Sequence, residues 1–145
     1  MVRTIASEIE IAAAPEDVWA LLADFDSYSQ WNPFMPEASG HALRGSWLRL
    51  SLRTNSGRVV RFPARILAAQ SPSVLAWEGR GWAWLPGLLL GERWITIEAL
   101  PQGSRVKMRT TFTGLLSSRM RWLDRYRPSF ERMLQALKAR AEESA

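Results

Sequence analysis

The feature that most restricts the fold is a series of apolar residues late in the chain: Leu116, Met120, Leu123, Phe130, Leu134, Leu137 and Ala141. At 3.6 residues per turn they share one side of a single amphipathic helix running from Leu116 to Glu143. An apolar stripe of that length needs a surface to cover it. The preceding sequence supplies one, because it is built of segments in which apolar and polar residues alternate, the pattern of antiparallel strands with one dry and one wet face. Pro128 falls within the stripe and removes one helical hydrogen bond, so the helix either kinks there or starts afresh.

In chain order, Thr4 to Ala12 sets Ile5, Ile9 and Ile11 against Glu8 and Glu10, a half-buried strand. Pro15, Glu16 and Asp17 suit a helix N-terminus, and a short helix follows with Val18, Trp19, Leu21 and Leu22 inward. Asp24 to Tyr28 opens a second short helix or turn. Trp31-Asn32-Pro33-Phe34 closes it, since a residue before proline leaves helical geometry. A weak strand is predicted at Glu37 to Ala42. The dry faces of further strands then follow: Leu48, Leu50 and Leu52; Val60, Phe62, Ala64 and Ile66; Leu75, Trp77 and Gly79; Ile95 and Ile97; Val106, Met108, Thr110 and Phe112. The prediction is one α+β domain over residues 1–145, with six or seven strands, two short helices after the first strand, and a long terminal helix.

With 145 residues, 47% hydrophobic and 23% charged, the chain is long enough to bury a core unaided. The absence of cysteine excludes disulfides, thiolate ligands and thiol nucleophiles. No signal segment is read, and the uncharged run 81–91 is too short to span a bilayer, so a cytoplasmic location is expected. Arginine supplies 17 of the 19 basic residues and the net charge is +5. These charges are scattered, with no basic helix, stacked-aromatic motif or zinc spacing, and no nucleic-acid partner is expected.

Two arginines stand at positions whose neighbours in register are apolar. Arg93 has the parity of Ile95 and Ile97, and Arg127 falls between Leu123 and Phe130 on the helical stripe. A buried guanidinium must find an anion or carbonyl partners. Either it receives a ligand's carboxylate or phosphate through a forked pair of hydrogen bonds, or it pairs with Glu92, Glu78 or Asp124, or it reaches water at a rim. The run from Gly81 to Leu90 is uncharged, and its Trp82, Trp84, Leu85 and Leu88 read as a lid, a homodimer contact or a transient membrane contact, in that order. Arg49, Arg53, Arg61 and Arg65, with Arg58 at a turn, make an outward basic patch. Lys107 and Arg109 are placed to face Glu8 and Glu10 across a strand pair. His41 has no carboxylate beside it, so no histidine-based triad, metal site or cofactor is expected, and no catalytic residue is assigned.

Several stretches together resemble the START-like SRPBCC superfamily in its polyketide cyclase/dehydrase-like branch. They are Ile11 to Trp19, Asp24-Phe25, Tyr28, Trp31-Asn32-Pro33-Phe34, Leu75-Ala76-Trp77 with Gly79, Gly91-Glu92, Phe112 to Leu116 and Ala136-Leu137-Lys138. The likeness covers nearly the whole chain. It implies a helix-grip fold, a curved antiparallel sheet wrapped round the terminal helix over a cavity for a hydrophobic or amphipathic small molecule. The lining expected on that basis is Trp31, Leu50, Phe62, Trp77, Arg93, Ile95, Met108, Thr110, Phe112, Leu123, Arg127, Phe130 and Leu134. Arg93 stands where close relatives look to carry histidine, so an acid/base role for histidine there does not transfer. The functions implied are a carrier or sensor; a polyketide cyclase or dehydratase using Arg93, Arg127, Thr110 and Tyr126; or an interaction module of the chaperone-activator type.

Overall fold

Six strands and two α-helices make up the described part of this computed structural model, residues 2–79, 90–113 and 121–143. Strand β1 (Val2–Ile11) leads into helix α1 (Pro15–Ala23) and a 3-10 helix (Phe25–Gln30). Strands β2 (Trp47–Arg53), β3 (Val59–Gln70), β4 (Val74–Gly79), β5 (Leu90–Leu100) and β6 (Gly103–Thr113) follow. A second 3-10 helix (Arg121–Tyr126) precedes helix α2 (Arg127–Glu143). The strands form one curved antiparallel sheet in the order β1-β6-β5-β4-β3-β2. Neighbours in sequence are neighbours in space except at β1, which closes onto the last strand.

Alternation does the sorting. Ile5, Ile11, Leu48, Leu50, Ala64, Ile66, Leu75, Trp77, Ile95, Ile97, Val106 and Met108 are buried on the side that meets α2. From the helix come Phe130, Met133, Leu134, Leu137 and Ala141. Helix α1 has no side-chain cap at Ala14; Pro15 presets its first turn, and Glu16 and Asp17 oppose its dipole. The buried Tyr28 hydroxyl donates to the Leu22 carbonyl at 2.6 Å, which satisfies one of the free acceptors at the end of α1.

Polar contacts hold the far end of α2 in place. Glu142 accepts from the Ala12 amide at 2.8 Å and from Lys138 at 2.7 Å. Lys138 also donates to the Glu10 carbonyl at 3.0 Å, and Arg140 to Gln30 at 2.9 Å. The helix is therefore anchored at the corner between β1 and α1, while its first turn forms one side of a cleft.

Four expectations are corrected. The α-helix begins at Arg127 rather than Leu116: a 3-10 turn occupies 121–126, and Pro128 sits at the second helical position, where a missing N–H costs nothing. Glu37–Ala42 is not a strand, because its pairing is limited to one bridge, Ser39 with Arg49. Ala76 is buried although its parity is outward; it lies across from Trp94 and Ala68. In the β1–β6 register Glu8 does face Lys107, but Arg109 stands opposite Ala6, and Glu10 meets Arg105 with an ion pair at 3.0 Å.

Candidate functional site

Strand β5 carries Arg93 on the same face as Ile95 and Ile97. Its Cα partners are Trp77 on β4 and Thr110 on β6. The side chain is 7% exposed, beneath α2. Its Nε donates to the Thr110 hydroxyl at 3.1 Å, and Nη1 points at two thioethers, Met35 at 3.2 Å and Met133 at 3.8 Å. Three rings surround the guanidinium carbon: Phe130 with its centroid at 4.8 Å, Phe34 at 5.7 Å and Trp77 at 5.8 Å. Cation–π attraction is strongest where water is excluded, as here.

No carboxylate meets this cation. All 14 acidic side chains lie among the described residues, and none of them is within 4.0 Å of Arg93. Glu37, Asp124, Glu10, Glu98 and Glu142 pair instead with Arg61, Arg3, Arg105 and Lys138. Glu92, one of the partners considered from the sequence, accepts from the Trp94 indole on the outer face. Burial lowers the Arg93 guanidinium to about 10, with nearby Tyr28 opposing the shift, so it is still charged at neutral pH. Burial pushes the Tyr28 phenol far above its ordinary value, against the pull of Arg93, and it stays neutral. Tyr28 is therefore no counter-ion.

The loop after α1 supplies one wall. Asn32, buried, accepts from the amides of Phe34 at 3.1 Å and Met35 at 2.9 Å, which turns both side chains inward over the guanidinium. The Phe34 ring packs on Phe130 at 5.0 Å and on Tyr126 at 6.2 Å. Phe34 also lines a cleft of about 340 Å³ with Pro33, Arg53, Thr54, Asn55, Gly57, Ser129 and Arg132. The cleft lies between the β2–β3 hairpin and the first turn of α2. Phe34 is thus common to the cleft and to the rings round the buried cation.

Of the expected lining residues, Leu50, Trp77, Arg93, Ile95, Met108, Thr110, Phe130 and Leu134 are buried between sheet and helix, while Trp31, Phe62 and Phe112 are half-buried at its margins. Arg127 is a correction. It is exposed and donates to the Ala6 carbonyl at 3.0 Å, because the helix starts at this residue and the stripe ahead of it does not keep phase. The Leu123 side chain and Trp82, Trp84, Leu85 and Leu88 lie outside the described residues. Phe34, Met35 and Met133 were not singled out from the sequence. Met133 could have been found three positions beyond Phe130, whereas nothing local marks Phe34 or Met35.

On the opposite face of the sheet, Trp47 is 59% exposed with Arg65 5.8 Å from its ring, and Arg61 is held by Glu37 through two hydrogen bonds. Arg49, Arg53 and Arg58 are exposed beside them. The basic patch is real, and part of it is neutralised locally.

A six-stranded antiparallel sheet closed by a C-terminal helix over an apolar interior defines a helix-grip domain. The chain belongs to the polyketide cyclase / dehydrase and lipid transport family, whose profile matches residues 2–142. Family membership supports binding of a hydrophobic ligand or cyclase chemistry. Solved structures of similar shape include the di-domain ARO/CYC StfQ from the steffimycin biosynthetic pathway, with a TM-score of 0.79 and 17% identity over 99% of this chain and 52% of that one. A Chromobacterium violaceum protein gives 0.76 and 20% over 96% of both chains. Ara h 8.0201 gives 0.70 and 14% over 99% of both. Identities this low speak for the fold alone. No curated protein matches the chain by sequence. Among the described residues no helix is long and apolar enough to cross a membrane.

Proposed function

We propose that this protein is a carrier or sensor that takes a hydrophobic or amphipathic small molecule into the space between sheet and α2. The observation that carries the reading is the wall at Phe34. A cleft of about 340 Å³ opens at the first turn of α2, and Phe34, which lines it, also belongs to the interior of aromatic and thioether side chains round Arg93. Binding sites for small molecules are largely apolar with a few placed polar groups, and Thr110 and Arg93 are such groups. Swinging Phe34 aside would join the cleft to the interior.

The test is native mass spectrometry of the protein purified from its host, with tryptophan fluorescence during titration with dodecanol. An adduct that denaturation releases, or a saturable change in emission, is the expected result. A bare mass together with unchanged emission across dodecanol and dodecanoate would overturn the reading. The cyclase reading draws on the family and on the ARO/CYC neighbours, and it would use Arg93 and Thr110 in the same interior. Turnover of an aromatic polyketide precursor would favour it.

A further inference from the structure

We infer that Arg93 is the receptor for the carboxylate of an amphipathic acid, so that the molecule carried has one negative charge at one end and an apolar body. This rests on the carrier reading and names the class of its cargo.

The argument begins with donors. A guanidinium offers five N–H groups and accepts nothing. At Arg93 one goes to the Thr110 hydroxyl, and Nη1 faces two sulfur atoms, which are weak acceptors. Nη2 has no hydrogen-bond acceptor among the described residues. The Nη1–Nη2 edge is therefore the edge a carboxylate engages through two parallel bonds, displacing only thioether contacts.

Charge comes next. A buried cation with no anion is costly, and no acidic side chain of the chain forms an ion pair with Arg93; five of the 14 pair with other cations. Tyr28 stays a neutral phenol whose hydroxyl is committed to the Leu22 carbonyl. The three rings and two thioethers ease the burial of the charge without neutralising it, and a ligand's carboxylate would supply the missing anion. One guanidinium matches one charge, which favours a carboxylate over a phosphate dianion.

The walls select the rest of the molecule. Phe34, Trp77 and Phe130 present ring faces, and Met35 and Met133 present flexible thioethers that adapt to varied apolar shapes. These groups also exclude water, which strengthens an ion pair formed among them. The acid end would enter past Phe34, the residue shared by the cleft and the cation's cage.

The experiment compares dodecanoate with dodecanol, two ligands of one chain length that differ at the head, by isothermal titration at neutral pH. In the parent protein dodecanoate should bind roughly tenfold to a hundredfold more tightly, the range expected of a hydrogen-bonded charge pair. Arg93→Met should remove that preference, so that dodecanoate binds no more tightly than dodecanol. Arg93→Lys, which keeps the charge and loses the fork, should fall between. Arg127→Ala, on the surface, should match the parent. Equal affinity of the parent for acid and alcohol would overturn the inference and leave the carrier reading standing, and this comparison needs no variant to fold. Equal preference for the acid in parent and Arg93→Met would also overturn it. Failure of both ligands to bind would remove the carrier reading and this inference together.

Discussion

Thr110→Val should cost about 2 kcal/mol of stability in the parent chain and close to nothing in an Arg93→Met background. Valine keeps the shape of threonine and deletes the hydroxyl that accepts from Arg93 Nε at 3.1 Å, in a site where Thr110 is 4% and Arg93 7% exposed. A hydrogen bond to a charged group is worth about 1.5–3 kcal/mol, and here its loss strands a buried, charged donor. In Arg93→Met the donor is gone and the buried hydroxyl is itself unsatisfied, so valine becomes neutral or favourable by up to about 1 kcal/mol. Arg93→Met alone should lie within about 1 kcal/mol of the parent, for opposing reasons. Burial that lowers the guanidinium from 12.5 to about 10 sets about 3 kcal/mol against the charged form. Three cation–π contacts offset it by about 1 kcal/mol each. Equilibrium urea unfolding of the four proteins at 25 °C gives the coupling, which should be about 2–3 kcal/mol, a midpoint shift of roughly 1 M at constant slope. Equal costs of Thr110→Val in both backgrounds would refute the claim that the guanidinium leans on Thr110, and with it the assignment of the opposite edge as the one left for a ligand.

Gly103→Ala should destabilise by about 3 kcal/mol, since a Cβ there would come 2.1 Å from the Ile11 carbonyl oxygen and 3.0 Å from Ala12 Cα, backbone atoms that cannot turn away. A urea midpoint unchanged from the parent would show that the β5–β6 turn is not packed on the end of β1. Lys138 and then the Ala12 amide hold the Glu142 carboxyl below the usual carboxylate range. Its folded value is the lower one, so its contribution is present above the ordinary carboxylate pKa and is lost as pH falls through the folded value. Glu142→Gln should therefore flatten the acid limb of the stability curve; identical limbs in thermal melts between pH 3 and pH 7, roughly the window of carboxylate titration, would contradict this.

Strand parity was legible because side chains in a strand alternate with a period of two, whatever the strand packs against. That placed Arg93 on the dry face from its spacing to Ile95 and Ile97 alone. The buried side of α2 from Phe130 onward was legible for the matching reason at the helical period. The same rule failed for Arg127. It assumed one unbroken α-helix, and a 3-10 turn of three residues per turn ahead of Pro128 changes the angle between successive side chains. The ion pairs were half legible: which strands carry opposite charges can be read, but the partner of Glu10 is set by the register of β1 on β6.

By itself the sequence determined that a guanidinium would stand on the inner face of the sheet, with a ligand's anion, a nearby carboxylate and water at a rim all left open as its partner. Periodicity is a local property, and no distant residue is needed to compute it. What surrounds that cation was decided by tertiary structure. Phe34 and Met35 reach it from a loop far back in the chain, and Phe130 and Met133 from the last helix. The lack of a counter-ion is likewise a fact of three dimensions, because Glu78 and Glu92 lie close by in sequence or register yet occupy the opposite side of the sheet. Whether a charge is paired depends on distances through space, and those exist only once the chain has folded.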